Sequence, residues 1–257
     1  MLTNENYFSK ENQLMYMGNS QFKAFQKCEA AAMAEINGEW QREETTALLV
    51  GSYVDAWFED TLDTFRAKHP QILKRDGTLK SDFVQAEQII SRVSMDRMFM
   101  DYMSGESQII MTGEIAGVPF KIKVDSLHPD KIVDLKCMKD FNSVWSNDIG
   151  AKVSFAEAWG YDIQGAIYQE IVRQNIGKKL PFFLAAVTKQ KVPRMAIISI
   201  PQQQLDFQLQ VVEDNAPRYQ QIKLGTIQPE RCEKLDCDYC AATSELSEVV
   251  DYQEVGL

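Results

Sequence analysis

The stretch Lys131-Ile132-Val133-Asp134-Leu135-Lys136-Cys137 is an apolar run interrupted by an acid and a base two positions apart. Strand alternation sends Asp134 and Lys136 to one face and Val133, Leu135 and Cys137 to the other. An aspartate inside a β-branched run disfavours the strand and is costly to bury unpaired. The preceding run, Lys121-Ile122-Lys123-Val124, alternates cleanly and leads into a second carboxylate, Asp125. Further along, Gln164 and Tyr168 stand at i and i+4, which stacks an amide and a phenol on one helical face. Two strands that converge can bring both carboxylates onto one hard divalent cation. An ammonium beside them can steady or deprotonate an attacking water. Metal-assisted phosphodiester hydrolysis asks for these groups together. Taken singly, each has a plainer account: an exposed Asp134–Lys136 ion pair, a surface amide at Gln164 and a half-buried aromatic at Tyr168.

Periodicity around this stretch predicts helices first, then strands, a helix, strands and a closing helix. Residues 20–35 read as a helix with Ser20 as N-cap, and residues 46–66 as a stronger amphipathic helix. Asp76-Gly77 marks a turn, and Ser81 caps a third helix running to about Met103. Strands are expected at Gln108 to Ile115, Val118 to Leu127 and Lys131 to Cys137. A helix follows from about Phe155 to Gln174, then strands at Phe182–Thr188 and Met195–Ile200. The last helix starts near Pro201 and is interrupted or ended near Pro217. No repeat or linker divides the chain. The expectation is one α/β domain over 1–257: a helical part at 1–105, a sheet and helix at 106–200, a helix and cysteine segment at 201–240, and an acidic tail at 241–257.

Composition excludes several classes. No apolar run approaches the ~20 residues that span a bilayer, and the first residues lack a basic, then apolar, leader, so no membrane partner is expected. Five cysteines, an odd number, argue against a disulfide framework and point to a reducing, cytoplasmic setting. His69 and His128 are the only histidines, too few and too scattered for a histidine-rich metal site. Neither a phosphate-binding Gly-x-x-x-x-Gly-Lys loop nor a Gly-x-Ser-x-Gly elbow occurs. The net charge of −10 runs against a phosphate-binding surface. The segment 171–194, however, carries Arg173, Lys178, Lys179, Lys189, Lys191 and Arg194 and no acid. That stripe is a candidate phosphate contact, or else a solvated face.

Asp125, the Asp134-Leu135-Lys136 triplet and Gln164-x-x-x-Tyr168 together resemble the RecB-type branch of the PD-(D/E)XK nucleases, phage RecE-like and CRISPR-adaptation nucleases among them. The resemblance implies a restriction-endonuclease-like core, a mixed central sheet flanked by helices, with added N-terminal helices and a C-terminal cysteine segment. It implies a Mg2+- or Mn2+-dependent deoxyribonuclease, most simply an exonuclease of phage-type recombination or DNA end processing. In that reading Asp125 and Asp134 hold metal, Lys136 orients and activates the water, and Gln164 and Tyr168 position the scissile strand. The backbone carbonyl of Leu135 is a further ligand, and Glu114, one strand back, is another candidate. Gly51-Ser52-Tyr53-Val54-Asp55 falls where this branch has a Gly-x-x-x-His segment; Asp55 stands in place of the histidine ligand, and aspartate also binds such cations.

Cys28 and the trio Cys232-x4-Cys237-x2-Cys240 resemble the iron–sulfur staple of the same branch, a 4Fe–4S cluster or else a tetrahedral zinc. The trio's spacing departs from the branch's C-x2-C-x5-C. Cys137 reads as a core thiol. The partner implied is DNA bound without sequence preference, and the tail is either solvated or a docking segment for a single-strand annealing or single-strand-binding protein. Two rival readings stay open: a nuclease-fold protein that binds DNA or a partner without cutting, and a structural metal-cluster protein.

Overall fold

In the computed structural model, the structure describes residues 2–146, 149–232, 237–245, 249 and 251. The helical first part comprises α1 (Lys10–Met15), α2 (Asn19–Lys27), α3 (Glu29–Asn37), α4 (Thr46–Phe58), α5 (Leu62–Lys68), α6 (Ser81–Ser94) and α7 (Arg97–Tyr102). There follow β1 (Glu106–Ile115), β2 (Val118–Leu127) and β3 (Ile132–Met138), then a small ribbon of β4 (Val144–Ser146) and β5 (Ala151–Val153). The chain continues through α8 (Phe155–Ala158), α9 (Tyr161–Ile176), β6 (Phe182–Thr188), β7 (Met195–Ser199), α10 (Gln202–Lys223) and α11 (Asp238–Thr243).

Five strands form one mixed sheet in the order β1-β2-β3-β6-β7, with β3 and β6 parallel and the other neighbours antiparallel. A parallel pair needs a long crossover, and the ribbon with α8 and α9 supplies it. Alternation along β3 divides the core as expected. Ile132 joins Phe182, Leu184 and the α9 and α10 residues on one face. Val133, Leu135 and Cys137 join the α4 and α6 residues on the other. Asp134 and Lys136 therefore belong to the α9 side.

Where α9 crosses the sheet it comes close. A Cβ on Gly165 would lie 2.7 Å from Phe182 Cδ1 and 2.8 Å from Leu205 Cδ2. Both contacts are core side chains with no room to retreat. Gly165→Ala is expected to destabilise the fold by about 1–3 kcal/mol through overpacking, measured as a lower urea midpoint at unchanged slope.

Several expected helices are broken. The 20–35 helix divides at Cys28, whose backbone is extended (φ −164°, ψ 111°) and serves as C-cap of α2 and N-cap of α3 at once. The 46–66 helix ends at Phe58, because Asp60 takes a left-handed φ of 55°. The 81–103 helix stops at Ser94, and Asp96 caps a new one by accepting from Phe99 N at 2.9 Å; its own N-cap is Lys80, not Ser81. The 155–174 helix splits at Gly160, φ 61°, where a Cβ would meet Lys23 Cδ at 2.7 Å. Gly18, not Ser20, caps α2. In the opposite sense, α10 runs unbroken through Pro217. A mid-helix proline costs ~3 kcal/mol; burial of Val212, Ala216, Tyr219 and Ile222 and stacking of Tyr219 on Phe25 at 5.2 Å offset it. Of the acidic tail, residues 246–248, 250 and 252–257 lie outside the described residues. Among the described residues no helix is long and apolar enough to cross a membrane.

Candidate active site

The site follows from a fork in the sheet. β2 and β3 pair only at Ser126↔Val133 and Leu127↔Ile132, then splay. Beyond the fork, backbone groups lose their ladder partners and have to be satisfied otherwise. Side chains do so. Leu135 N donates to Asp125 Oδ2 at 2.9 Å, and Lys123 O accepts from the Tyr168 hydroxyl at 3.0 Å. The N-terminal segment covers the rest of that edge, with Met17 N donating to Pro119 O at 2.7 Å and Lys121 N to Met17 O at 2.9 Å. On the other side of Asp125, Gln108 takes a left-handed φ of 56°, and its amide reaches Asp125 Oδ1 at 3.4 Å.

The gap opens into a cavity of about 600 Å3. Asp125 from β2, Asp134 and Lys136 from β3, Asp55 from α4 and Gln164 and Tyr168 from α9 all line it. Asp134 is 2% exposed. Its Oδ1 accepts from Gln164 Nε2 at 2.6 Å. Its Oδ2 forms an ion pair with the Lys136 ammonium but receives no aligned hydrogen bond from any donor. The plain reading of Asp134–Lys136 as a surface ion pair is thus half right: the pair exists, and it is enclosed.

Three carboxylates in one enclosed space disturb one another. Burial, with Asp134 adding to it, pushes the Asp125 carboxyl well above its usual range. Burial and then the neighbouring Asp134 and Glu59 push Asp55 up to about 7, against the pull of Lys136. Burial by itself would lower Lys136, yet Asp134 and Asp125 hold it above the ordinary lysine range. Three enclosed carboxylates offer the oxygen donors that a hard dication takes. Asp55, Asp125 and Asp134 are the residues that could hold it, with Leu135 in the cavity wall beside them.

Other expected site residues stand elsewhere. Glu114 is exposed on β1, and Gln174 bonds its backbone at 3.0 and 2.7 Å. Of the basic stripe, only Lys189 lines the cavity. Arg173 is engaged by Glu170 at 2.7 Å, Lys179 by Asp206 at 2.6 Å, and Arg194 lies over the Phe141 ring at 5.8 Å. Lys178 and Lys191 are exposed. The cavity draws its positive wall from other elements: Lys23, Arg42, Lys121 and Lys123. With Lys136 and Lys189 these make six cations against four acids in the wall, on a chain of net charge −10. Lys121 and Lys123 carried a legible signal, since alternation puts both on the face of Asp125. Arg42, in the α3–α4 connection, and Lys23 carried none. Tyr161 was also missed; its ring lies under the Lys136 ammonium at 5.4 Å.

Away from the cavity, Cys28, Cys232, Cys237 and Cys240 meet with their sulfurs within 4.8 Å of one another. The extended backbone at Cys28 turns its thiol toward α11, where Cys240 is fully buried at 3.6 Å from it. Glu29 clamps the same junction, receiving Arg218 at 2.7 and 2.9 Å. Cys137 is not part of this group; it lines the cavity, and burial raises its thiol.

Sheet order, fork and carboxylates define the class: a PD-(D/E)XK nuclease fold. The PDDEXK-like domain family of unknown function (DUF3799) matches residues 18–243, and the chain belongs to that family. A crystal structure of a protein from Eubacterium rectale, described as a "putative exonuclease", is similar over 100% of this chain and 99% of its own. Its TM-score is 0.94 and its identity 46%. No curated protein matches the chain.

Proposed function

We propose that this protein is a divalent-metal-dependent deoxyribonuclease of the RecB-type branch, acting as an exonuclease at DNA ends. One observation carries the reading: Asp125, Asp134 and Lys136 at the β2–β3 fork and Asp55 of α4 share a cavity whose wall also carries Lys23, Arg42, Lys121, Lys123 and Lys189. Bound Mg2+ or Mn2+ would polarise the phosphate and generate the nucleophile. The chain's own residues do the rest. Gln164 fixes Asp134 through Oδ1, which leaves Oδ2 to the Lys136 ammonium. Lys136 offers its ammonium to the scissile phosphate, where negative charge builds in the transition state. Tyr168 holds the Lys123 carbonyl and so keeps the fork open. Lys23, Lys123, Lys189 and Arg42 contact flanking phosphates and read no bases. The Eubacterium rectale protein's description supports the exonuclease assignment.

The four-cysteine group closes the C-terminal segment onto the α2–α3 junction. A cubane interposes iron and sulfide between its thiolates, whereas one tetrahedral ion lets four sulfurs crowd together. Separations within 4.8 Å support a single ion, zinc, over the 4Fe–4S alternative.

A time course on end-labelled linear, circular and single-stranded DNA tests the nuclease. Hydrolysis of linear DNA with magnesium or manganese, stopped by chelator, is the expected result. Folded protein that degrades none of the three substrates with either metal would leave the rival reading, a nuclease-fold protein that only binds.

A further inference from the structure

An exposed aromatic that the proposed hydrolysis does not use stands at the rim of the cavity. Phe8 is 68% exposed and still lines the cavity. It is held firmly in that position. Its ring meets Tyr7 edge-on with centroids 4.9 Å apart, and its carbonyl accepts from Gln13 Nε2 at 2.7 Å. Tyr7 beneath is buried. The Lys121 ammonium lies 4.6 Å from the Tyr7 ring centroid and donates to the Tyr7 carbonyl. Only 4% of Lys121 is exposed, and burial brings its ammonium down to about 8. Holding an ammonium in that place disfavours folding, as does presenting a phenyl ring to water. A flat apolar ligand laid on Phe8 would relieve the second of these.

The cavity's size narrows what that ligand is. At about 600 Å3 it lies in the range that encloses a drug-sized molecule. A nucleotide, a flat base joined to an anionic phosphate, matches the exposed ring and the cations that share the cavity wall. The Tyr7–Phe8 turn, α2, α3, Arg42 and α4 form part of the boundary of the cavity. Arg42 is tethered to Glu35 and places a guanidinium on that boundary.

We propose that Phe8 is the platform on which one base of the bound strand stacks at the edge of the cavity. The identity of the strand as a substrate rests on the nuclease reading; its binding mode does not.

The test is equilibrium binding, by fluorescence anisotropy, of labelled oligothymidylate to the full chain in chelator at fixed salt. Stacking on an aromatic ring is worth ~1–3 kcal/mol per base, so Phe8→Ala is expected to weaken binding roughly 5- to 100-fold. Phe8→Trp keeps it within about threefold, since indole offers the same face. Because Phe8 is exposed, thermal melting of both variants should match wild type. Equal affinity of Phe8→Ala and wild type for the single strand overturns the proposal. The two readings fail separately. A wild-type protein that binds in the expected pattern but hydrolyses nothing sinks the nuclease and supports the platform. One that hydrolyses DNA while Phe8→Ala binds normally does the reverse.

Discussion

Asp134→Asn is expected to remove the proposed DNA hydrolysis and to leave the protein folded. Asparagine keeps an oxygen for the Gln164 amide, which reaches Asp134 Oδ1 at 2.6 Å, and removes the anionic Oδ2 that no aligned donor satisfies. In the proposed reading a dication at the fork would then lose a ligand. Lewis-acid stabilisation is worth several kcal/mol at the transition state, so the rate should fall roughly 1,000-fold or more. Two effects on stability oppose each other: Lys136 loses its partner, while Asp125 and Asp55 lose a repelling neighbour. The net change should be about 1 kcal/mol or less, a shift of ~2–4 °C in melting temperature. Single-turnover cleavage and a thermal melt check both halves. Wild-type hydrolysis by the variant would place the chemistry elsewhere.

Cys240→Ser has the largest expected effect on stability. Cys240 is fully buried beside Cys28, and the small apolar cluster around it holds little beyond Ala30, Ala31 and Tyr239. In the proposed reading a metal ion at the four thiolates adds to what that cluster contributes in holding the C-terminal segment. Releasing an ion held at ~1,000-fold above its Kd removes about 4 kcal/mol of stability, an expected fall of about 8–15 °C in melting temperature. Elemental analysis should find about one zinc per wild-type chain, the number a single four-thiolate site takes, and none in the variant. The wild-type protein should be colourless. A brown protein rich in iron would keep the four-thiolate site and overturn the single-ion assignment.

Much of the fold was written in local pattern. Alternation located β2 with its ends and β3 to within one residue at each end, and helical spacing found α9, because apolar periodicity is a property of each segment alone. Asp125, Asp134 and Lys136 were legible for the same reason: a charge within an apolar strand contradicts its surroundings. The break at Cys28 was not legible. No glycine or proline marks it; the backbone turns there to bring a thiol to α11, far along the chain. Pro217 misled in the other direction, since burial on both sides of it outweighs its local penalty. The cationic wall was hidden for a third reason. Lys23, Arg42, Lys123 and Lys189 come from separate elements, and only the folded sheet brings them together. A run of like charges at 171–194 drew attention to residues of which only Lys189 lines the cavity, while Arg173 and Lys179 are taken up by Glu170 and Asp206.

The splayed strands bear on the choice of an inert protein for trapping DNA in the cavity. Asp125 and Tyr168 complete the backbone of the open sheet as well as lining the reaction space, so their replacement loosens the scaffold and confounds loss of activity with loss of shape. Asp134 and Lys136 carry no such backbone duty among the described hydrogen bonds. A silent enzyme whose architecture can be trusted, suited to co-crystallisation with an oligonucleotide, is to be made at one of those two positions.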